Sequence, residues 1–595
     1  MKKFFVLLII VVMSGTALNA QILGDVNRDS LCNIVDALLI AQVYVNITPQ
    51  VFYREYADVD ANGSVNIVDS LLIAQLYVGI IDKLPGDTGE IGEKPKAAFT
   101  ISNVTPTIGQ SVTFDASGSM DPDGSISKYE WDFKDGSTAT GMTVTHSFYE
   151  VDDYNVVLTV TDNQGNVDDK NHRVFIGRPS GWAEDSHHKS ADPDYELLFP
   201  DDEVLRLDIT ITPQNYRVIE DDIARFTMWS DFKPVYIPVE VSLNGKKWWN
   251  VGMRYKGQST LNSAISSRIH KYPFRLNFDE YEDDHPEIAD QRFYGFGEMT
   301  FCNNWNDNSF LREKICSDIF RNGGVPAAMS GFCRVYINSG SGPVYWGLYT
   351  MVEDISDVFA DTNFEDNDGN MYKPEGDGAD WTNPFRQDAF IKKNNKEAAD
   401  WSDVRSAHTA LNASRSNAQN WRDNLNKSFN TTQFLRWLAI NTGITNWDCY
   451  GTMAQNYYLY QDLADNGRIF WIPWDFNLSL QNSMFGQNLE LSLSNVGSRW
   501  PLIRYLMDDS EFNRQYHQEM SDAMNSCINA SEINGRIDHF YNLIRPYVTG
   551  TEGEIQGYTF LQGGASAFDK ARSDLKNYIN QRESTVRSYL QSKGY

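Results

Sequence analysis

Two stretches of this sequence each end a mostly apolar run on a carboxylate. One is Thr445-Asn446-Trp447-Asp448; the other is Arg468-Ile469-Phe470-Trp471-Ile472-Pro473-Trp474-Asp475-Phe476-Asn477. Between them, Asn456-Tyr457-Tyr458-Leu459-Tyr460 alternates and is aromatic, the pattern of a strand. A loop carboxylate, a strand, a tight turn, a second strand and a second carboxylate would bring two acids together. Metal-dependent phosphoryl transfer needs such a pair: one acid orients a hydroxyl and the other holds the cation that neutralises developing charge. Alone, Asp448 reads first as a turn-forming residue; its neighbours decide the matter.

A second oxygen-rich pattern lies in residues 24–80, where residues 24–42 recur 33 positions later as residues 57–75. Oxygen side chains fall at loop positions 1, 3, 5, 9 and 12: Asp25, Asn27, Asp29, Asn33 and Asp36, then Asp58, Asp60, Asn62, Asn66 and Asp69. Calcium takes six to eight oxygens around a tight turn, and this spacing supplies them. Gly63 serves the bend of the second loop, whereas Ser30 occupies it in the first. Position 12 is Asp rather than Glu, and a helix follows each loop while none precedes the first. The combination resembles the dockerin type I module, a paired F-hand, which implies two Ca²⁺ ions and a cohesin-type protein partner. Ile34-Val35 and Ile67-Val68, just after the ligand at position 9, read either as an adhesive face or as core.

Chain length sets the frame for both patterns. At 595 residues, three or four domains are expected rather than one core. Fifteen Trp and 30 Tyr argue against disorder over most of the chain. A net charge of −29 argues against a nucleic-acid or anionic-membrane partner. Lys2 and Lys3 followed by the apolar run from Phe4 to Met13 read as a signal peptide over residues 1–20, cleaved after Ala17 or Ala20. The competing reading is a buried N-terminal helix. The run is short for a membrane span and no later stretch reads as one, so a secreted, extracellular protein is expected. The six cysteines, at 32, 302, 316, 333, 449 and 527, show no paired spacing and give no disulfide framework.

These signals divide the chain into a signal peptide (1–20), a calcium-binding module (22–82), a linker (83–96), a sandwich (97–177), a second linker (178–200) and a large domain (201–595). Residues 97–177 alternate in short runs broken by turn residues, as a β-sandwich does. Asp115-Ala116-Ser117-Gly118-Ser119, Asp121-Pro122-Asp123-Gly124 and Trp131-Asp132-Phe133-Lys134-Asp135-Gly136 resemble the PKD domain. That module reads as a spacer or a weak glycan- or protein-binding unit, with His146 structural. His187-His188 in the second linker could catch a metal but read first as exposed loop residues.

In the large domain, Lys256-Gly257-Gln258-Ser259-Thr260 is a turn that could close over phosphates or form a plain hairpin, and Lys271 begins a strand. Residues 310–320 are expected to be helical, capped by Asp307 or Asn308, with Arg312 or Glu313 in an ion-pair network. The ordered set of Lys271, Asp307 to Arg312, Gly347-Leu348-Tyr349 before Glu353, Asn446-Trp447-Asp448, Asn456-Tyr457-Tyr458-Leu459-Tyr460 and Pro473-Trp474-Asp475 resembles the spore-coat protein H (CotH) kinase family over residues 205–590.

This resemblance implies an α+β, atypical protein-kinase-like domain that transfers phosphate from ATP to serines of partner proteins. By position it implies Asp448 as the catalytic acid, Asp475 and Asn456 at Mg²⁺ (or Mn²⁺), and Lys271 and Glu353 at the nucleotide, with Lys256 the other lysine open for the phosphates. The sequence departs from the family pattern in carrying Asn477, where many relatives carry Asp. The expectation is therefore a multidomain protein: an all-α dockerin, an all-β PKD sandwich and a kinase-like domain. Because ATP is scarce outside cells, a non-catalytic adhesive component of a cellulosome-like assembly is the alternative. A carbohydrate-associated protein of polysaccharide catabolism is a third.

Overall fold

The computed structural model describes residues 22–29, 31–86, 93–228, 232–483, 486 and 488–595. The expected signal peptide, the bend residue Ser30 and residues 87–92 of the first linker lie outside them. The chain forms two compact units. One holds the described residues up to Asn103 with Ser111–His146 and Tyr154–Arg173; the other holds Val104–Gln110, Ser147–Asp153 and Val174–Tyr595.

In the first unit, the helices Ile34–Tyr44 and Ile67–Tyr77 follow the two loops. Each opens with a capping box: Asn33 accepts from Val35 N while Asp36 accepts from Asn33 N, and Asn66 and Asp69 repeat the arrangement. Ile34, Val35, Ile67 and Val68 are exposed, so of the two readings open to them the core is excluded.

The sandwich has two sheets. One runs β1 (Thr100–Ile101), β2 (Ser111–Asp115), β5 (Thr143–Ser147). The other runs β4 (Thr138–Thr140), β3 (Ile126–Asp132), β6 (Asp153–Asp162), β7 (Val167–Phe175). Within them, β1–β2, β3–β4 and β3–β6 pair antiparallel. In β6, buried and half-buried residues alternate strictly, which is the period-2 signal in the sequence. His146 Nε2 bonds Asp135 and its ring stacks on Phe133, a structural role.

The second unit opens with seven strands that close into a barrel: β8 (Leu205–Thr210), β9 (Ile237–Leu243), β10 (Lys246–Tyr255), β11 (Phe274–Asn277), β12 (Glu298–Cys302), β13 (Ser330–Asn338) and β14 (Pro343–Glu353). Their order is β10-β11-β12-β14-β13-β8-β9, with β8 and β13 parallel and the other pairs antiparallel. Alternate residues such as Val241, Met253, Tyr255, Phe274, Leu276, Phe301, Tyr349 and Met351 fill one core.

A four-stranded sheet follows, ordered β16 (Phe390–Lys392), β15 (Met371–Pro374), β17 (Tyr457–Asp462), β18 (Arg468–Pro473). It packs with the helix Thr431–Gly443 and the C-terminal helices Ser510–Ser526, Ala530–Val548 and Gly564–Lys593 around a second core. The helix Arg312–Asn322 contributes Ile315, Cys316, Ile319 and Phe320 to that core. It starts later than the apolar spacing suggests because Asp307 folds the preceding loop, accepting from Ser309 N and Arg312 N at 2.9 Å each. All six cysteines are free. Among the described residues, no helix is long and apolar enough to cross a membrane.

Candidate functional site

The β17–β18 hairpin brings the two acids of the opening pattern together. Tyr457 pairs with Pro473 at its open end, and Trp474 N donates to Asn456 O at 3.1 Å, which fixes Asp475 beside the turn before β17. Asn456 Nδ2 reaches back to Asp448 O at 2.7 Å and Asp448 Oδ2 at 3.3 Å. Gln455 Nε2 holds Asp448 Oδ1 at 2.8 Å. Three residues here adopt left-handed backbone: Thr445 (φ 54°), Asn456 (φ 61°) and Asp475 (φ 64°). For a β-branched Thr this is an outlier that the surrounding structure must hold in place, a kind of strain that concentrates at functional sites.

Electrostatics links the two acids. Burial and the neighbouring Asp475 carboxylate push Asp448 up to about 6, against the hydrogen bonds from Gln455 and Asn456. Asp475 is also raised, by burial, while Lys256 and Lys373 oppose the shift. Among the described residues, no hydrogen-bond donor reaches the Asp475 carboxylate, and Asn456 Oδ1 accepts no hydrogen bond. An unsaturated carboxylate beside an unsaturated amide oxygen is a donor set that suits a hard cation such as Mg²⁺.

Two further residues complete the cluster. Glu313, at the start of the helix Arg312–Asn322, accepts from Phe476 N at 2.7 Å, and burial together with Asp475 holds it well above the carboxylate range. Lys256 follows β10 directly, and its ammonium lies 5.7 Å from the Trp474 ring. Burial lowers it, while Cys302 and Asp475 pull it the other way. Glu313 was visible in the sequence only as a charge on an apolar helix face, and Lys256 only as part of a weak glycine turn. No local signal tied either to Asp475, because the contact is tertiary.

Lys271, expected at the nucleotide phosphates, has its ammonium fully buried and paired with Glu554, beneath the Phe310 and Tyr349 rings. Glu554 also accepts from Leu348 N at 2.8 Å. Gly347 (φ 118°) makes room for the pair: a Cβ there would stand 2.6 Å from Glu554 Oε1 and 2.9 Å from Lys271 Cε. Glu353 likewise has both oxygens engaged, by Tyr195 Oη at 2.5 Å and Met329 N at 2.8 Å. Burial pushes it up to about 7. Arg312, expected to need a partner, has Asp307 at 3.3 Å.

The CotH kinase protein family matches residues 253–586, more than half of the chain. This chain belongs to the CotH kinase family. The PKD domain matches residues 92–176 and the dockerin type I domain residues 23–76. The CotH region is similar to the inner spore coat protein H of Bacillus subtilis (strain 168), 20% identical over 392 residues, covering 64% of this chain and 96% of that protein. The PKD region is similar to a microbial collagenase of Vibrio alginolyticus, 39% identical over 87 residues; the match covers 15% of this chain and only 11% of the collagenase. Among solved structures, the Helicobacter pylori proinflammatory kinase CtkA is 9% identical over 52% of this chain and 91% of its own, with a TM-score of 0.22. The protein is thus a multidomain, dockerin-bearing CotH family member.

Dockerin type I domains typically bind calcium, and both loops of this CotH protein have the donors for it. One ligand oxygen from each of Asp25, Asp29 and Asp36 lies within 4.8 Å of the others, and Asp58, Asp60 and Asp69 form the same cluster. Among the described residues these are the two groups of three acids, His or Cys that come so close. Asn27, Asn33, Asn62 and Asn66 stand in the same turns, where they bond neighbouring backbone N–H groups and loop side chains.

Proposed function

We propose that this CotH family member is an exported protein serine kinase, attached through its calcium-loaded dockerin (22–82) to a cohesin-type module, with the PKD domain (97–177) as spacer. The observation that carries the reading is the coupling of Asp448 and Asp475 across the β17–β18 hairpin, with Lys256 and Glu313 beside Asp475. In the transfer step, the serine Oγ bonds to the γ-phosphorus of ATP, the bond to the bridging oxygen of the ADP leaving group breaks, and the serine proton passes to Asp448. Asp448 orients the hydroxyl from a partly desolvated pocket, and its raised affinity for a proton suits a group that must accept one. Asp475 and Asn456 would hold Mg²⁺ (or Mn²⁺), which supplies charge neutralisation on the phosphates. Lys256, rather than Lys271, faces the phosphates, and Glu313 steadies it. Glu353 acts on the nucleotide only indirectly, by fixing the end of β14.

The test is phosphate incorporation from labelled Mg-ATP into the protein itself or casein, with wild type, Asp448→Ala and Asp475→Ala. Each variant is expected to lose at least about 100-fold, the scale of a missing general base or metal ligand. Equal incorporation by all three would reject the kinase reading and leave a kinase-like scaffold used for binding.

A further inference from the structure

Two amides in succession clamp one carboxylate in this site, and only the second has a role by resemblance. Asn456 Nδ2 ties the main-chain oxygen and Oδ2 of Asp448, whereas Gln455 Nε2 donates to Oδ1 at 2.8 Å. We propose that Gln455 is a positioning residue for phosphoryl transfer, holding the Asp448 carboxylate in one orientation so that Oδ2 meets the acceptor hydroxyl. The inference rests on the kinase reading above.

The terminal torsion of an aspartate is broad and roughly two-fold, so an unclamped carboxylate would present either oxygen over a wide range of angles. Asn456 Nδ2 stands at 3.3 Å from Oδ2, and the shorter 2.8 Å bond from Gln455 to Oδ1 removes most of that freedom. The Gln455 amide also carries no charge: a lysine at the same position would restore the orientation but keep only part of the acid's capacity to take a proton, whereas a neutral amide orients it at smaller cost. Gln455 is itself well held. The next residue is fixed in left-handed backbone and bonded by Trp474 N, so the turn cannot swing the amide away. Its other polar contact is Met453 Sδ at 3.6 Å, and it is half-exposed, so the side chain adds little to the core.

The test uses the full-length protein, Mg-ATP and dephosphorylated casein, comparing wild type with Gln455→Met, which keeps the length without a donor, and Gln455→Lys, which restores one. A hydrogen bond to a charged group is worth about 10- to 100-fold, so Gln455→Met should lower kcat by that factor. The KM for ATP should stay within about two-fold and the melting temperature should not change, while Gln455→Lys should recover at least about one-third of the lost kcat on a logarithmic scale. A merely structural residue would not split kcat from KM in this way, nor be rescued by a donor of different shape. If wild type transfers phosphate and Gln455→Met matches it, the positioning role is overturned and the kinase reading stands. Equal losses in both variants with a raised ATP KM or a lowered melting temperature also overturn it. If wild type transfers none, both fall together.

Discussion

The calcium loops and the CotH cleft are built from the same two residue types, aspartate and asparagine, in different hydrogen-bonding settings, although burial raises the loop acid Asp36 as it raises the cleft acids. In the loops, each acid is saturated locally: Asp36 accepts from Val26 N and Asn33 N, and Asp58 from Asn62 N and Gly63 N. In the cleft, Asp475 has no donor among the described residues, and burial raises both it and Asp448. Such local arrangement would suit an ion that becomes part of the fold. The cleft leaves Asp475 without a protein donor while two amides hold Asp448, an arrangement that would suit a cation arriving with a substrate.

The sharpest way to break this contrast is to remove calcium. Chelation should melt residues 24–80 of the full-length protein, seen as loss of amide exchange protection at 25–36 and 58–69 and loss of cohesin binding, with protection across 253–586 unchanged. Protection in the loops that survives chelation would show the ion to be dispensable there.

The two lysines of the CotH domain give the next largest effect. Lys271→Ala leaves Glu554 buried without its partner and should cost about 3–5 kcal/mol of domain stability. Lys256→Ala should change stability much less and raise the KM for ATP by about ten-fold or more. A reversed result, with Lys271 governing ATP and Lys256 governing stability, would exchange their roles.

The smallest effects are in pH. Asp448 stands near 6, so kcat/KM should climb as pH rises to that value and level off above it. A cation at Asp475 removes part of the like-charge cause, so the midpoint with Mg-ATP should lie at or below about 6. Stability should move the other way. Glu353 holds its proton to about 7 in the fold and to about 4.5 when unfolded, so the folded state binds the extra proton. Its contribution is full below about pH 4.5 and is lost as pH rises through 7. Melting temperature should therefore fall between pH 5 and 8, and Glu353→Gln should flatten that slope.

The two regions also differ in how much of them could be read in advance. The calcium ligands lie within twelve residues of one another, so a repeat in register reveals donors and geometry at once. The alternation in β6, β17 and β18 likewise marks strands, because a pleated strand with one buried face imposes period 2. The two acids and Asn456 were legible because a hairpin joins them, and a hairpin is local. The surroundings of Glu313 and Gln455, and the choice between Lys256 and Lys271, were not legible, for one reason. Which charge meets which is settled by barrel closure and by where the helix Arg312–Asn322 lands, over separations of up to some hundreds of residues. Lys271 illustrates it: only the fold brings Glu554, 283 residues away, under Gly347 to neutralise it.

By itself, then, the sequence determined the module order, the calcium loops, the strands and the pair Asp448 and Asp475, all products of short-range periodicity and spacing. The tertiary structure alone decided that Lys271 meets Glu554, that Glu313 meets the Phe476 N–H beside Asp475, and that Gln455 holds Asp448. A buried charge is stable only beside its partner, and that partner is chosen by packing rather than by neighbourhood in the chain.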